Sequence, residues 1–151
     1  MDREKLLEKF IVSIKNNNFS DLTFRKLMNF TFKKEEVIDL IKYLDSNNYG
    51  QIRISIFELL ASSGVDSMAL FEQYFSKETN TSLPGKIIDF AYKNNNPDLI
   101  LAVYSKYPSL SNMALMKLKK MKKFEAITPF LFSEDISLAN LANQILNSSN
   151  N

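Results

Sequence analysis

Apolar residues recur at helical spacing along most of the chain. In the last such region, FEAITPFLFSEDISLANLANQIL (124–146), Ala126, Ile127, Phe130 and Leu131 share one helical face. The polar link SED separates this stripe from a second one, which consists of Leu138, Leu141, Ala142, Ile145 and Leu146. The two stripes predict a helical hairpin with a short turn. Because helices of this length are marginal in water on their own, the hairpin must pack against other elements.

Similar hairpins recur upstream. The spacing predicts one helix from Pro97 to just before Pro108, and further helices at 6–14, 22–30, 37–44, 51–60, 68–75, 83–92 and 113–121. We expect Gly64 to end a helix, and Asp135 or Ser137 to cap the last one. Caps and left-handed turns are expected in the asparagine-rich turns 16–18, 47–48 and 94–96.

The second helices of the hairpins align with one another. The matching positions are Arg25, Arg53, Gly85, Met113 and Ala139. Three residues further on, all five positions are apolar: Met28, Ile56, Ile88, Met116 and Ala142. Seven residues further on, the positions are apolar except at Lys120: Phe32, Leu60, Tyr92, Lys120 and Leu146. A hairpin repeated at about 30 residues is typical of a helical solenoid, in which stacked hairpins bury apolar faces that one hairpin cannot bury alone.

Composition supports one all-α domain and removes several kinds of chemistry. The 151 residues are 45% apolar, and 3 glycines and 4 prolines are few for an all-β fold. The sequence has no His, Cys or Trp, which excludes Ser-His-Asp and Cys-His nucleophiles and Cys/His zinc sites. A serine–lysine or carboxylate mechanism stays open, although no spacing indicates one. We expect no catalytic residue, no metal and no cofactor.

Charge and hydropathy bear on partners and location. The net charge of +2 argues against a dedicated nucleic-acid binder. No apolar run approaches the ~18 residues of a membrane span, and the mixed-charge start MDREKLLEKF differs from a secretion signal. Without cysteine there is no disulfide framework, so we expect a cytoplasmic protein.

The hairpins resemble HEAT repeats of the type first grouped with phycobilisome lyase subunits. In the last hairpin the resemblance rests on Glu125, Ala126, Ile127, Pro129, Asp135, Ala139 and Ala142, and in the second on Asp45 and Arg53. It implies a right-handed α-α superhelix of about five hairpins, with 1–147 as one domain and 148–151 as a frayed tail. The alternatives are another solenoid, such as a tetratricopeptide array with its more regular 34-residue period, or a compact bundle.

Several candidate functional residues have a structural interpretation beside a functional one. Arg25, Arg53 and Lys86 lie at or beside one repeat position. In HEAT-like proteins such a residue bonds to acidic groups or turn carbonyls, as Asp45 with Arg53 would, whereas the functional alternative is a basic line facing a ligand groove. The run KLKKMKK (117–123) is either a solvated helix end that interacts with the helix dipole or a contact for an acidic partner. Three tyrosines recur near the ends of the first helices: Tyr43, Tyr74 and Tyr104. They form either an aromatic stripe for recognition or the edge of the core.

These features favour a non-enzymatic module that binds another protein along its stacked second helices. The predicted partner-binding residues are Arg25, Arg53, Lys86, Lys117 and Lys120. The HEAT resemblance implies as an alternative a bilin lyase-related subunit or chromophore-protein chaperone, and nucleic-acid backbone binding is a third hypothesis. Charged residues in 1–18 and the polar face of 137–147 can cap the two ends, so we expect a monomer.

Overall fold

The computed structural model describes residues 2–46 and 49–149, and this part of the chain is all-helical without a strand. The α-helices are α1 (Arg3–Lys15), α2 (Asp21–Leu27), α3 (Lys34–Val37), α4 (Tyr43–Ser46), α5 (Gly50–Ser62), α6 (Ser67–Tyr74), α7 (Ser82–Lys93), α8 (Pro97–Lys106), α9 (Ser111–Lys120), α10 (Phe124–Ile127) and α11 (Ile136–Ser149). Short 3-10 helices follow α3, α8 and α10 at Ile38–Lys42, Pro108–Leu110 and Thr128–Phe132. The predicted all-α class is therefore confirmed.

Two predicted helices are less regular than expected. The helix expected at 37–44 is divided among α3, the 3-10 helix Ile38–Lys42 and α4. The helix that begins at Phe124 becomes a 3-10 helix at Thr128–Phe132, where Pro129 has no N–H to donate to an α-helical bond. Helix α11 includes two residues of the expected tail, while 150–151 and the expected turn at 47–48 lie outside the described residues.

The chain divides into two compact units, Met1–Tyr74 (unit 1) and Phe75–Asn151 (unit 2). In unit 1, α1 packs on α2, where the ring centroids of Phe10 and Phe24 are 5.6 Å apart. Helix α5 contacts α3, α4, α6 and the 3-10 helix Ile38–Lys42. The fully buried Phe57 and Leu60 of α5 belong to this core.

In unit 2 the helices α7, α9 and α11 lie next to one another in chain order. Helix α7 contacts α9, and α9 contacts α11. Helix α8 contacts both α7 and α9, and α10 contacts both α9 and α11. The 3-10 helix Thr128–Phe132 also packs on α11. Helix α8 therefore packs between α7 and α9, and α10 between α9 and α11.

Four helices end in the same cap, a residue in left-handed conformation after the last turn. These residues are Asn17 (φ 52°), Gly64 (φ 100°), Asn95 (φ 53°) and Lys122 (φ 58°). The next N–H donates to the carbonyl oxygen five residues earlier, at 2.8 to 3.0 Å, in the pairs Asn18–Ser13, Val65–Leu60, Asn96–Ala91 and Lys123–Leu118. The predictions for Gly64 and for the asparagine-rich turns at 16–18 and 94–96 are confirmed. At the last helix Asp135 Oδ1 accepts from the N–H of Leu138 at 3.3 Å, so Asp135 is the cap.

The caps and the buried positions of unit 2 give its register. Asn95 and Lys122 are equivalent cap residues, after α7 and after α9. Ile88 and Leu115 are the same number of residues apart as these two caps, and so are Leu115 and Ala142. All three of these side chains are 0% exposed. The position in α9 that corresponds to Gly85 is therefore 112, and the sequence alignment, which used Met113, is wrong by one position there. Apolar stripes contain adjacent pairs, so an alignment on apolar identity alone can slip by one position.

Candidate interaction surface

Helices α7 and α9 meet at three points that follow one another in the same direction. A Cβ atom at Gly85 would lie 3.8 Å from the Sδ of Met113. Further along both helices, Lys117 Nζ lies 3.2 Å from Asp89 Oδ1 and 4.6 Å from the centroid of the Tyr92 ring. Because the residue numbers increase along both helices from the Gly85–Met113 contact to the contacts of Lys117, the two helices are parallel. Their outward faces therefore form one surface.

Lys117 joins the helices instead of projecting into solvent. Its side chain is 22% exposed, between the carboxylate of Asp89 and the face of Tyr92. The cation thereby combines an ion pair with a cation–π contact, and its aliphatic stem covers apolar surface. Both contacts hold α7 against α9.

Four lysines lie on the outward face of the pair, and we call them the lysine face. On α7, Lys86 and Lys93 are exposed and two helical turns apart, so they lie on the same side of the helix. On α9, Lys119 and Lys120 are exposed beside Met116, which is 39% exposed. The nearby carboxylate of Asp89 is engaged by Lys117. The lysine face thus combines four exposed lysines with one exposed apolar side chain on α9.

The five predicted partner-binding residues occupy different environments. Lys86 and Lys120 belong to the lysine face, and Lys117 lies at its inner edge. Arg25 is exposed on α2 and pairs with Asp21 one turn earlier, with Arg25 Nη2 at 2.7 Å from Asp21 Oδ2. The structure adds Lys93 and Lys119, which spacing alone could have indicated: Lys93 lies two helical turns after Lys86, and Lys119 belongs to the run 117–123.

Arg53 makes structural hydrogen bonds to two backbone carbonyl groups. Its Nε donates to the carbonyl oxygen of Leu44 at 2.8 Å, and its Nη2 donates to that of Tyr74 at 2.6 Å. The half-buried guanidinium thereby satisfies carbonyl groups at the ends of α4 and α6. A planar side chain with five donors suits this task better than a lysine.

The tyrosines that recur in the first helices of the hairpins are all half-buried. Lys42 Nζ lies 5.4 Å from the Tyr43 ring centroid, and the ring of Tyr104 lies 4.9 Å from that of Phe130. Sequence reasoning missed Tyr107, whose hydroxyl donates to the carbonyl oxygen of Phe75 at 2.6 Å. Burial raises the pKa of Tyr107 above its ordinary value. The hydroxyl therefore stays a donor at neutral pH.

Arg3 makes a second polar contact that the sequence patterns did not indicate. Its Nε donates to the carbonyl oxygen of Thr31 at 3.0 Å, and its guanidinium pairs with Glu36. The guanidinium carbon also lies 4.6 Å from the Phe32 ring centroid. The N–H of Lys33, followed by the guanidinium of Arg3, lowers the pKa of Glu36. The two groups secure the start of α1 to the start of α3.

Comparison with known proteins gives no family: no family model, no curated protein and no solved structure matches the chain. Among the helices of residues 2–46 and 49–149, none combines the length and the apolar character that crossing a membrane requires.

Proposed function

We propose that this chain is a non-enzymatic binding module that holds an acidic segment of another protein on the lysine face. The observation that carries the proposal is the exposure of Lys86, Lys93, Lys119, Lys120 and Met116 on two adjacent parallel helices. Positive charge steers an acidic partner to the surface, and the exposed apolar group supplies contact area that charge alone does not provide.

The architecture that we propose for this module is a HEAT-like solenoid, a right-handed superhelix of about five hairpins. Three observations support it in unit 2: the shared cap at Asn95 and Lys122, the buried positions that recur at the same interval as these caps, and the contacts of α7 with α9 and of α9 with α11. A solenoid places equivalent helices side by side, which creates an extended surface from helices that are distant in sequence.

A protein partner accounts for the surface better than a nucleic acid does. Met116 is exposed beside the lysines of α9, and an exposed apolar group within a charged surface is typical of protein interfaces. The whole chain has a net charge of +2 and no Trp to stack on bases. The exposed carboxylates include Glu125, Glu134 and Asp135 of unit 2, which oppose a polyanion.

The test is a pull-down from lysate of the native host, with the chain as bait. One variant reverses the lysine face (Lys86→Glu, Lys93→Glu, Lys119→Glu and Lys120→Glu), and a matched variant reverses four exposed lysines elsewhere (Lys15→Glu, Lys34→Glu, Lys77→Glu and Lys106→Glu). We expect the first variant to lose proteins that the wild type and the matched variant retain. Equal capture by all three baits would refute the proposal.

Two further measurements separate the alternatives. If nuclease treatment of the lysate removes the captured proteins, the surface binds nucleic acid, and a gel shift should then show the steep salt dependence of phosphate contacts. Absorbance spectra of the purified chain mixed with a bilin test the lyase-related alternative, because a bound bilin changes its spectrum.

A further inference from the structure

The most exposed large apolar side chains of the described residues lie close together in unit 2. Phe132 is 83% exposed and Ile136 is 75% exposed. Between them are Ser133 and two exposed acidic residues, Glu134 and Asp135. We call residues 132–136 the FSEDI segment. Two exposed large apolar side chains on either side of two negative charges are typical of an interaction site and not of an ordinary loop between helices.

Hydrogen bonds hold the FSEDI segment in one conformation. The N–H of Ser133 donates to the carbonyl oxygen of Phe130 at 3.2 Å, and Ser133 Oγ accepts from the N–H of Asp135 at 3.1 Å. Asp135 Oδ1 in turn caps α11 by accepting from Leu138. Because the segment is ordered before any partner arrives, binding through it has a smaller entropic cost.

A groove of complementary chemistry lies in unit 1, between α1 and α2. It encloses about 440 Å³, and its apolar lining is Leu6, Leu22 and Phe30. Leu22 is 64% exposed and Phe30 is 39% exposed. Two lysines, Lys9 and Lys26, also line the groove, and no carboxylate is among the described residues that line it. The groove is therefore apolar and positive, where the FSEDI segment is apolar and negative.

We propose that the FSEDI segment of one copy of this chain docks into the α1–α2 groove of a second copy. Phe132 and Ile136 contact Leu22 and Phe30, and Glu134 lies near the two lysines. A second copy is the occupant that the charges favour, because each surface supplies the sign that the other lacks. This assembly goes beyond the proposed function and uses none of its residues. It replaces the monomer that the polar helix faces led us to expect.

Such a contact is heterologous, since each copy donates one surface and accepts with a different one. It builds a ring where the rotation closes and a filament where it does not. One five-residue segment buries less surface than a stable dimer interface, so the association is weak. We expect it to appear at roughly 10 µM to 1 mM protein, the range in which small interfaces bind.

The test is sedimentation velocity of the full chain over that concentration range. We expect the average mass of the wild type to rise with concentration, and Leu22→Glu and Phe132→Asp each to weaken this association at least about tenfold. Tyr49→Asp, which places the same charge at an exposed apolar position outside the groove, the FSEDI segment and the lysine face, is the control and should associate like the wild type. Circular dichroism of each variant establishes that its helical fold is intact, as the exposure of these positions leads us to expect.

A mixture of the two blocked variants identifies the geometry. Leu22→Glu retains an intact FSEDI segment and Phe132→Asp retains an intact groove, so together they should form a 1:1 dimer that grows no further. A pair with exchanged charges, Lys26→Glu and Glu134→Lys, should likewise associate with each other more strongly than either does with itself. A wild type that stays monomeric throughout the range, or blocked variants that do not associate when mixed, would overturn the proposal.

Discussion

The two units of this protein differ in their basic residues and in the contacts that these residues make. All three arginines, Arg3, Arg25 and Arg53, lie in unit 1, whereas every basic residue of unit 2 is a lysine. Arg3 and Arg53 donate to backbone carbonyl groups, at 2.6 to 3.0 Å. In unit 2 four lysines share one exposed face. Arg3 and Arg53 therefore stabilise the fold of unit 1, while the exposed lysines of unit 2 are the residues that we propose bind a partner.

The surroundings of Arg53 show why a guanidinium is used there. In unit 2, α7 and α9 end in the same cap, and apolar residues are buried at equivalent positions of α7, α9 and α11. In unit 1 the corresponding region is interrupted by the 3-10 helix Ile38–Lys42 between α3 and α4. Irregular connections leave carbonyl groups that helical bonds do not satisfy, and a guanidinium can satisfy several at once. The ends of α1, α5, α7 and α9 are instead satisfied by the same backbone cap, in both units.

The largest expected effect comes from breaking the repeated core of unit 2. Leu115→Ala removes a side chain that is 0% exposed, at a position shared with Ile88 and Ala142. We expect a loss of about 2–5 kcal/mol in the free energy of unfolding, from lost burial and the cavity that remains. Chemical denaturation followed by circular dichroism measures it. Met116→Ala, one position further on and exposed, should cost less than about 1 kcal/mol; similar losses for both would contradict the assigned register.

Replacing Arg53 of unit 1 should have a somewhat smaller effect. Arg53→Met keeps an apolar stem but removes both hydrogen bonds, to the carbonyl groups of Leu44 and Tyr74. A hydrogen bond to a charged group contributes ~1.5–3 kcal/mol. Because Arg53 is only half-buried, water partly replaces both bonds, and we expect a total loss of about 2–3 kcal/mol. The matched variant is Arg25→Met, whose exposed ion pair with Asp21 contributes ~0–1 kcal/mol. If the order of the two losses were reversed, Arg53 would not be a structural residue.

The smallest effect is a change in the response to acid. The pKa of Glu36 is lowered in the folded state by the N–H of Lys33 and by Arg3. A carboxylate of this kind stabilises the fold above its ordinary pKa, and the contribution disappears as the pH falls through the lowered folded value. The melting temperature of the Glu36→Gln variant should therefore fall less than that of the wild type as the pH is lowered from about 6 to about 3. Arg3→Met should partly reduce the same dependence of melting temperature on pH. An equal dependence in all three proteins would exclude the contact between Arg3 and Glu36.

Much of the local structure follows from residues that are neighbours in sequence. Helices α5, α6 and α7 each lie within about two residues of their predicted ranges, because apolar spacing and caps such as Gly64 are local signals. The 3-10 helix after α3 was missed, since the apolar positions Val37, Leu40 and Leu44 suit an α-helix equally well. The run 117–123 was identified as a possible contact, but the sequence could not separate Lys117 from Lys119.

The sequence alone determined the all-helical class, most helix positions, the turns at 16–18 and 94–96, and Gly64 as a helix end, because each depends on interactions within a few residues. The structure selected Asp135 over Ser137 as the cap of the last helix. The tertiary structure decided which lysines of α9 are engaged and which are exposed. Lys117 and Lys120 are less than one helical turn apart, yet one lies over Tyr92 and the other in solvent. That outcome depends on which side of α9 faces α7, and this is fixed by the packing of whole helices and not by any local pattern.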